Sequence, residues 1–199
     1  MKFIGITGGV GAGKSAILEY LSQKEGVRVM LADEIAHDLM EQGTDCYQRL
    51  AKEFETEDIF LPEGGFDRLK LAKVIFSDVE KRERLNGIVH PAVKQYVIAE
   101  AEKECSNPAR KILVLEAALL IEEHYDAICD ELWYIYTRED IREKRLMESR
   151  GYSKEKVRQI FDSQLKEEEF RKHCRVVIDN NFGLDETFSQ IERAIADLK

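Results

Sequence analysis

Cations are the minority charge in this chain, with 30 Lys and Arg against 39 Asp and Glu and a formal charge of −9. A surface built for nucleic acid or an acidic membrane takes net positive charge, so both classes of partner are disfavoured. An anionic ligand would have to be held by local positive groups against that overall field. Cysteine is also sparse. Cys46, Cys105, Cys129 and Cys174 are scattered and form no C-x-x-C pair. Neither a disulfide framework nor a cysteine metal cluster is expected, and the thiols read as buried groups in a reducing cytosol. No apolar run approaches the ~20 residues of a membrane span. Met1-Lys2-Phe3 runs directly into an apolar segment, leaving no room for a signal peptide. Repeats and low-complexity tracts are missing too. The expectation is a cytoplasmic protein with no membrane and no nucleic-acid partner, a monomer or small homo-oligomer. At 199 residues it forms one domain, with room for insertions.

What the chain does have stands near its start. Gly8-Gly9-Val10-Gly11-Ala12-Gly13-Lys14-Ser15 fits G-x-x-x-x-G-K-[ST], the phosphate-binding loop. Phe3-Ile4-Gly5-Ile6 before it reads as a buried strand, and Ala16-Ile17-Leu18-Glu19-Tyr20-Leu21 after it has helical apolar spacing. Strand, glycine loop and helix is the context the motif requires. Glycines let successive N–H groups turn toward phosphate oxygens, and the new helix adds its unpaired N–H groups and positive dipole end. Gly11, Ala12, Gly13, Lys14, Ser15 and Ala16 are therefore the nucleotide-binding candidates. Lys14 would reach the outer phosphates and the Ser15 hydroxyl would hold Mg²⁺.

Four more strands are predicted, at 27–31, 112–116, 132–137 and 176–179, besides 2–7. Helical patterns lie between them, including Ile35 to Met40, Tyr47 to Phe54, Leu69 to Ile75, Val93 to Glu104, Ile141 to Met147 and Phe188 to Leu198. Continuous apolar strands alternating with helices mark an α/β protein with a parallel sheet covered on both faces. Ligands of such sheets lie beyond the carboxyl ends of the strands, which selects Asp33, Glu116, Thr137 and Asn180. Two stretches exceed a minimal five-stranded core. Residues 43–108 are largely helical and large enough to recognise a bulky acceptor. Residues 139–175 form a densely charged helical pair, either a solvated face or a lid that closes over nucleotide.

Each candidate has a structural alternative. Asp33 would accept a hydrogen bond from a substrate hydroxyl or else cap the helix from Glu34 to Met40. Glu116 would hold Mg²⁺ through water or else be a solvent-facing strand-end acid. Arg145 and Arg150 are lid cations or surface ion pairs. His90, before Pro91 where a helix is expected to begin, would cap it or touch substrate. Asn180 would meet the adenine edge or belong to a plain turn. Glu122, six residues after Glu116, would also face the site or else be structural, the reading favoured here.

Together these residues resemble the dephospho-coenzyme A kinase family across nearly the whole chain. The resemblance lies in Ile4 to Ser15, in Ala32-Asp33-Glu34-Ile35-Ala36-His37, in Leu85-Asn86-Gly87-Ile88-Val89-His90-Pro91, in Leu119-Leu120-Ile121-Glu122 and in Ile178-Asp179-Asn180. It implies a P-loop kinase fold, a five-stranded parallel sheet flanked by helices with a helical substrate-binding insertion and a lid. It implies transfer of the ATP γ-phosphoryl group to the ribose 3′-hydroxyl of dephospho-coenzyme A, with Mg²⁺, Asp33 as base, and Lys14 and Arg145 stabilising the transferring group. His90 falls in the region expected to hold the coenzyme. The chain departs from the family pattern at Glu116-Ala117-Ala118, where Asp-x-Pro is usual, at Leu31, where an acid is common, and in the five-residue spacing of Arg145 and Arg150. Two other readings are a kinase for a different alcohol and a nucleotide-dependent switch. Against a GTPase switch, the chain has no Asn-Lys-x-Asp or Asp-x-x-Gly motif.

Overall fold

The computed structural model describes residues 1–198. Five strands form one parallel sheet: β1 (Lys2–Thr7), β2 (Val27–Leu31), β3 (Ile112–Glu116), β4 (Glu131–Tyr136) and β5 (Val176–Asp179), in the order β2-β3-β1-β4-β5. The three central strands are buried along nearly their whole length, while β2 and β5 at the edges are half-covered. That is why the central strands read as unbroken apolar runs, with no alternation. β4 begins one residue earlier and ends one earlier than the hydrophobic run predicted.

Helices α1 (Lys14–Ser22), α2 (Ala32–Leu39), α3 (Asp45–Glu53), α4 (Arg68–Ser77) and α5 (Val79–Cys105) precede β3. After β4 come α6 (Glu139–Arg150), α7 (Lys154–Asp162) and α8 (Glu167–His173), and α9 (Leu184–Ala196) follows β5. The charged stretch after β4 is thus three short helices where a pair was expected. The chain divides into two units, one of Met1–Met30 with the residues from Glu104 onward, the other Leu31–Lys103.

In the first unit α1 buries Ile17, Leu18 and Leu21, each side chain stabilising the core by roughly 1.5–3 kcal/mol. Tyr20 stacks on Phe188 with ring centroids 4.0 Å apart, and its hydroxyl donates to Glu192 at 2.5 Å, tying α1 to α9. In the second unit α3 is capped by Thr44, which accepts from the Tyr47 N–H, and α4 by Asp67, which accepts from Leu69 and Lys70.

Two expectations fail here. Pro91 does not open a helix but lies inside the 27-residue α5. Leu85, Val89, Val93 and Val97 are all buried at four-residue spacing, a stripe that runs straight past the exposed Pro91. Burial of that stripe outweighs a mid-helix proline's cost of about 3 kcal/mol. Cys105 is exposed, unlike the buried Cys46, Cys129 and Cys174. It is the last residue of α5, where that stripe has ended.

Candidate active site

The phosphate loop leaves the carboxyl end of β1 at the centre of the sheet. Ile6 pairs with Glu116 on one side and with Trp133 on the other. Parallel register therefore brings the acid that ends β3 beside the loop that follows β1. The Lys14 ammonium donates to the Gly8 carbonyl at 2.8 Å and lies 3.4 Å from the Glu116 carboxylate. Glu116 is thus no free-standing strand-end acid, since it faces the loop lysine.

Gly13 is the N-cap of α1 with φ 86°, a left-handed backbone, and contributes no side-chain cap. A Cβ there would stand 2.5 Å from the Asn180 side-chain nitrogen, so only glycine fits. The first N–H groups of α1 consequently have no capping side chain, the arrangement that binds a phosphate. Ser15 is exposed at the second position of this helix.

One carbonyl gathers much of the loop's support. Ala12 O accepts from the Asn180 side-chain amide at 2.7 Å and from Arg145 Nη1 at 3.3 Å. The Thr137 hydroxyl lies 3.0 Å from Ala12 O and 3.3 Å from Asn180 O, with one proton to share. Arg145 Nη2 also donates to Asn180 O at 3.1 Å, and Thr187 Oγ1 donates to Asn180 Oδ1 at 2.9 Å. The Asn180 side chain, 2% exposed, is therefore committed to the loop and to α9, with its amide turned away from solvent. Arg150 lies exposed at the C-terminal end of α6.

Arg142 was not singled out from the sequence, yet it is buried against the loop. Its Nε donates to Val10 O at 2.9 Å and its Nη2 to Gln164 Oε1 at 2.5 Å. Burial draws its pKa below the usual guanidinium value. The available signal was its three-residue spacing from Arg145, which puts both on one face of α6.

Asp33 lies in the second unit, exposed in the first turn of α2 just after β2. It does not cap that helix. The N-cap is Leu31, and no side chain caps the first turn. His90 is half-buried in the middle of α5 and caps no helix start, and Glu122 is exposed.

As donors for a metal, the loop offers the Ser15 hydroxyl and the Glu116 carboxylate. Among the described residues no group of three or more His, Cys, Asp or Glu could hold an ion by itself. So small a set of oxygen donors suits Mg²⁺, which keeps several waters and takes further oxygens from nucleotide phosphates.

The sequence profile of the dephospho-CoA kinase family matches residues 2–186. The chain belongs to the dephospho-CoA kinase family. Curated dephospho-CoA kinases include one from Listeria innocua, 37% identical over 190 residues, covering 96% of this chain and 94% of that protein. Another, from Arabidopsis thaliana, is 32% identical over 199 residues, covering 100% and 84%. Among solved structures, a Thermus thermophilus protein superposes with a TM-score of 0.79 at 28% identity, covering 100% of this chain and 98% of that one. An Acinetobacter baumannii shikimate kinase shares the fold, with a TM-score of 0.55 at 14% identity and 100% and 96% coverage. Like its relatives, this member of the dephospho-CoA kinase family is an enzyme, a kinase on the P-loop kinase fold.

Proposed function

We propose that this kinase transfers the γ-phosphoryl group of ATP to the ribose 3′-hydroxyl of dephospho-coenzyme A, releasing ADP and coenzyme A. The observation that carries this reading is the family match over residues 2–186, with an intact phosphate loop at the carboxyl end of β1. ATP occupies the loop, with its phosphates on the N–H groups of residues 11–16. Asp33 accepts the proton of the 3′-hydroxyl as its oxygen attacks the γ-phosphorus. The bond from that phosphorus to the β–γ bridging oxygen breaks, and the electron pair leaves with ADP. In this reading Lys14 turns from Gly8 O to the transferring group, and Arg145 adds the second positive charge. Ser15 and Glu116 would hold Mg²⁺, which when bound neutralises phosphate charge.

Two details support Asp33 as base. It follows the carboxyl end of a parallel strand, and its side chain does not supply the helix cap that would otherwise explain it. We assign acceptor recognition to the unit Leu31–Lys103 and lid closure to residues 139–175. A cytoplasmic location fits the free cysteines. Among the described residues, no helix is long and apolar enough to cross a membrane.

The test is ADP release with ATP, Mg²⁺ and a panel of acceptors: dephospho-coenzyme A, nucleoside monophosphates and small alcohols. Turnover above the acceptor-free background is expected with dephospho-coenzyme A. Turnover with another acceptor and none with dephospho-coenzyme A would overturn the assignment.

A further inference from the structure

Val10, in the phosphate loop, is gripped through both of its backbone polar groups by side chains more than a hundred residues away. Its N–H donates to Gln164 Oε1 at 3.3 Å, and its carbonyl accepts from Arg142 Nε at 2.9 Å. The ring closes because Arg142 Nη2 donates to the same Gln164 oxygen at 2.5 Å. Phe161 lies under the guanidinium, 4.3 Å from ring centroid to Cζ. The fourth side of the group is the loop itself. A Cβ on Gly9 would stand 2.3 Å from Arg142 Cζ and Nη2. Arg142 is only 9% exposed, and among the described residues no carboxylate forms an ion pair with it.

We infer that Arg142 and Gln164 are a positioning pair that sets the phosphate loop in its nucleotide-binding shape. The inference rests on ATP as the phosphoryl donor in the reading above. A loop with Gly8, Gly9, Gly11 and Gly13 has great conformational freedom in isolation, and ordering it on binding would weaken the nucleotide. Holding Val10 at both of its polar groups removes that cost before ATP arrives. Lys in place of Arg142 keeps the charge but loses the fork, so it cannot reach Val10 O and Gln164 together. The clasp also ties the loop to α6 and to the link between α7 and α8, where Gln164 sits. Arg142 touches the loop backbone and acts on substrate through it.

The experiment pairs ATP titration calorimetry without acceptor with steady-state kinetics on dephospho-coenzyme A, for Arg142→Lys, Gln164→Ala, their double variant and Gly9→Ala. Charge-assisted hydrogen bonds of this kind predict about a tenfold or greater rise in the Kd and KM for ATP in each single variant. The KM for dephospho-coenzyme A should move little, and kcat should fall less than ATP affinity. The double variant should be scarcely worse than the worse single one, since either change opens the same clasp. Unchanged ATP affinity in folded variants, additive losses, or a defect confined to kcat would each overturn the proposal. Should Arg142→Lys fail to fold, Gln164→Ala, which removes no charge, decides the matter alone. If the wild type binds ATP without phosphorylating dephospho-coenzyme A, the function assignment fails while the ATP titrations still judge the clasp.

Discussion

Asn180 donates its side-chain amide to the Ala12 carbonyl across 2.7 Å, joining the residue after β5 to a phosphate loop 168 positions earlier. The amide oxygen accepts from Thr187 on α9, so one side chain bridges loop, strand end and C-terminal helix.

Asn180→Ala should therefore weaken both stability and nucleotide binding. Removing the buried amide takes the shortest donor from the Ala12 carbonyl and the shortest acceptor from the Thr187 hydroxyl, a loss of about 1–3 kcal/mol. The KM for ATP should rise with it. Urea unfolding and ATP titration check this, and loss of stability with unaltered ATP affinity would confine Asn180 to a structural role.

Asp33→Asn is expected to lower kcat by about two to four orders of magnitude, the usual worth of a general base. ATP affinity and thermal stability should stay close to wild type, because Leu31 and not Asp33 is the N-cap of α2. An unchanged kcat would remove Asp33 from the mechanism.

Arg145→Ala should reduce kcat more than it weakens ATP binding. Among the described residues, Arg145 donates only to backbone carbonyls, Ala12 O and Asn180 O, partners it can exchange for phosphate oxygens in the transition state. The opposite split, weak ATP binding with normal kcat, would make Arg145 a brace like Asn180.

Glu104 should confer a stability advantage that fades in acid. Arg110 Nε and Arg28 Nη1 each donate to it at 2.8 Å, and Asn107 adds a third bond at 3.2 Å. Arg110 foremost, with Arg28, holds its pKa down to about 2, against an ordinary 4.5. A depressed carboxylate stabilises the fold above the unfolded pKa, and the contribution drains away as pH falls from about 4.5 toward 2. Urea midpoints at pH 7 and pH 3 should therefore differ more for wild type than for Glu104→Gln. Equal differences would show that the carboxylate does not carry this linkage.

Pro91→Ala should stabilise the protein by roughly 1–3 kcal/mol, since the substitution restores a backbone donor on the exposed side of α5 and the buried stripe is untouched. A melting temperature at or below wild type would show that the neighbouring turns depend on the proline.

Strand positions were readable because a doubly covered parallel strand must be apolar throughout, as Ile112-Leu113-Val114-Leu115 is. The path of α5 was not. Pro91 is a local signal for a helix start, whereas the stripe from Leu85 to Val97 gains its burial only from the folded unit. Arg142 was hidden for a related reason. Among the alternating charges of 139–175 it looks like any surface cation, and what buries it is a loop 132 residues earlier.

By itself, the sequence determined that this chain binds phosphate. Gly8 to Ser15 encode in eight adjacent residues a turn, a helix N-terminus and a cation, and that chemistry is local. Which side chains hold the loop was decided only by tertiary structure. Sheet register brings Glu116 to Lys14, α6 brings Arg142 and Arg145 to Val10 and Ala12, and the end of β5 brings Asn180 to Ala12. Such partners are chosen by packing, which pairs residues more than a hundred positions apart, and the spacing within α6 does not say what they meet.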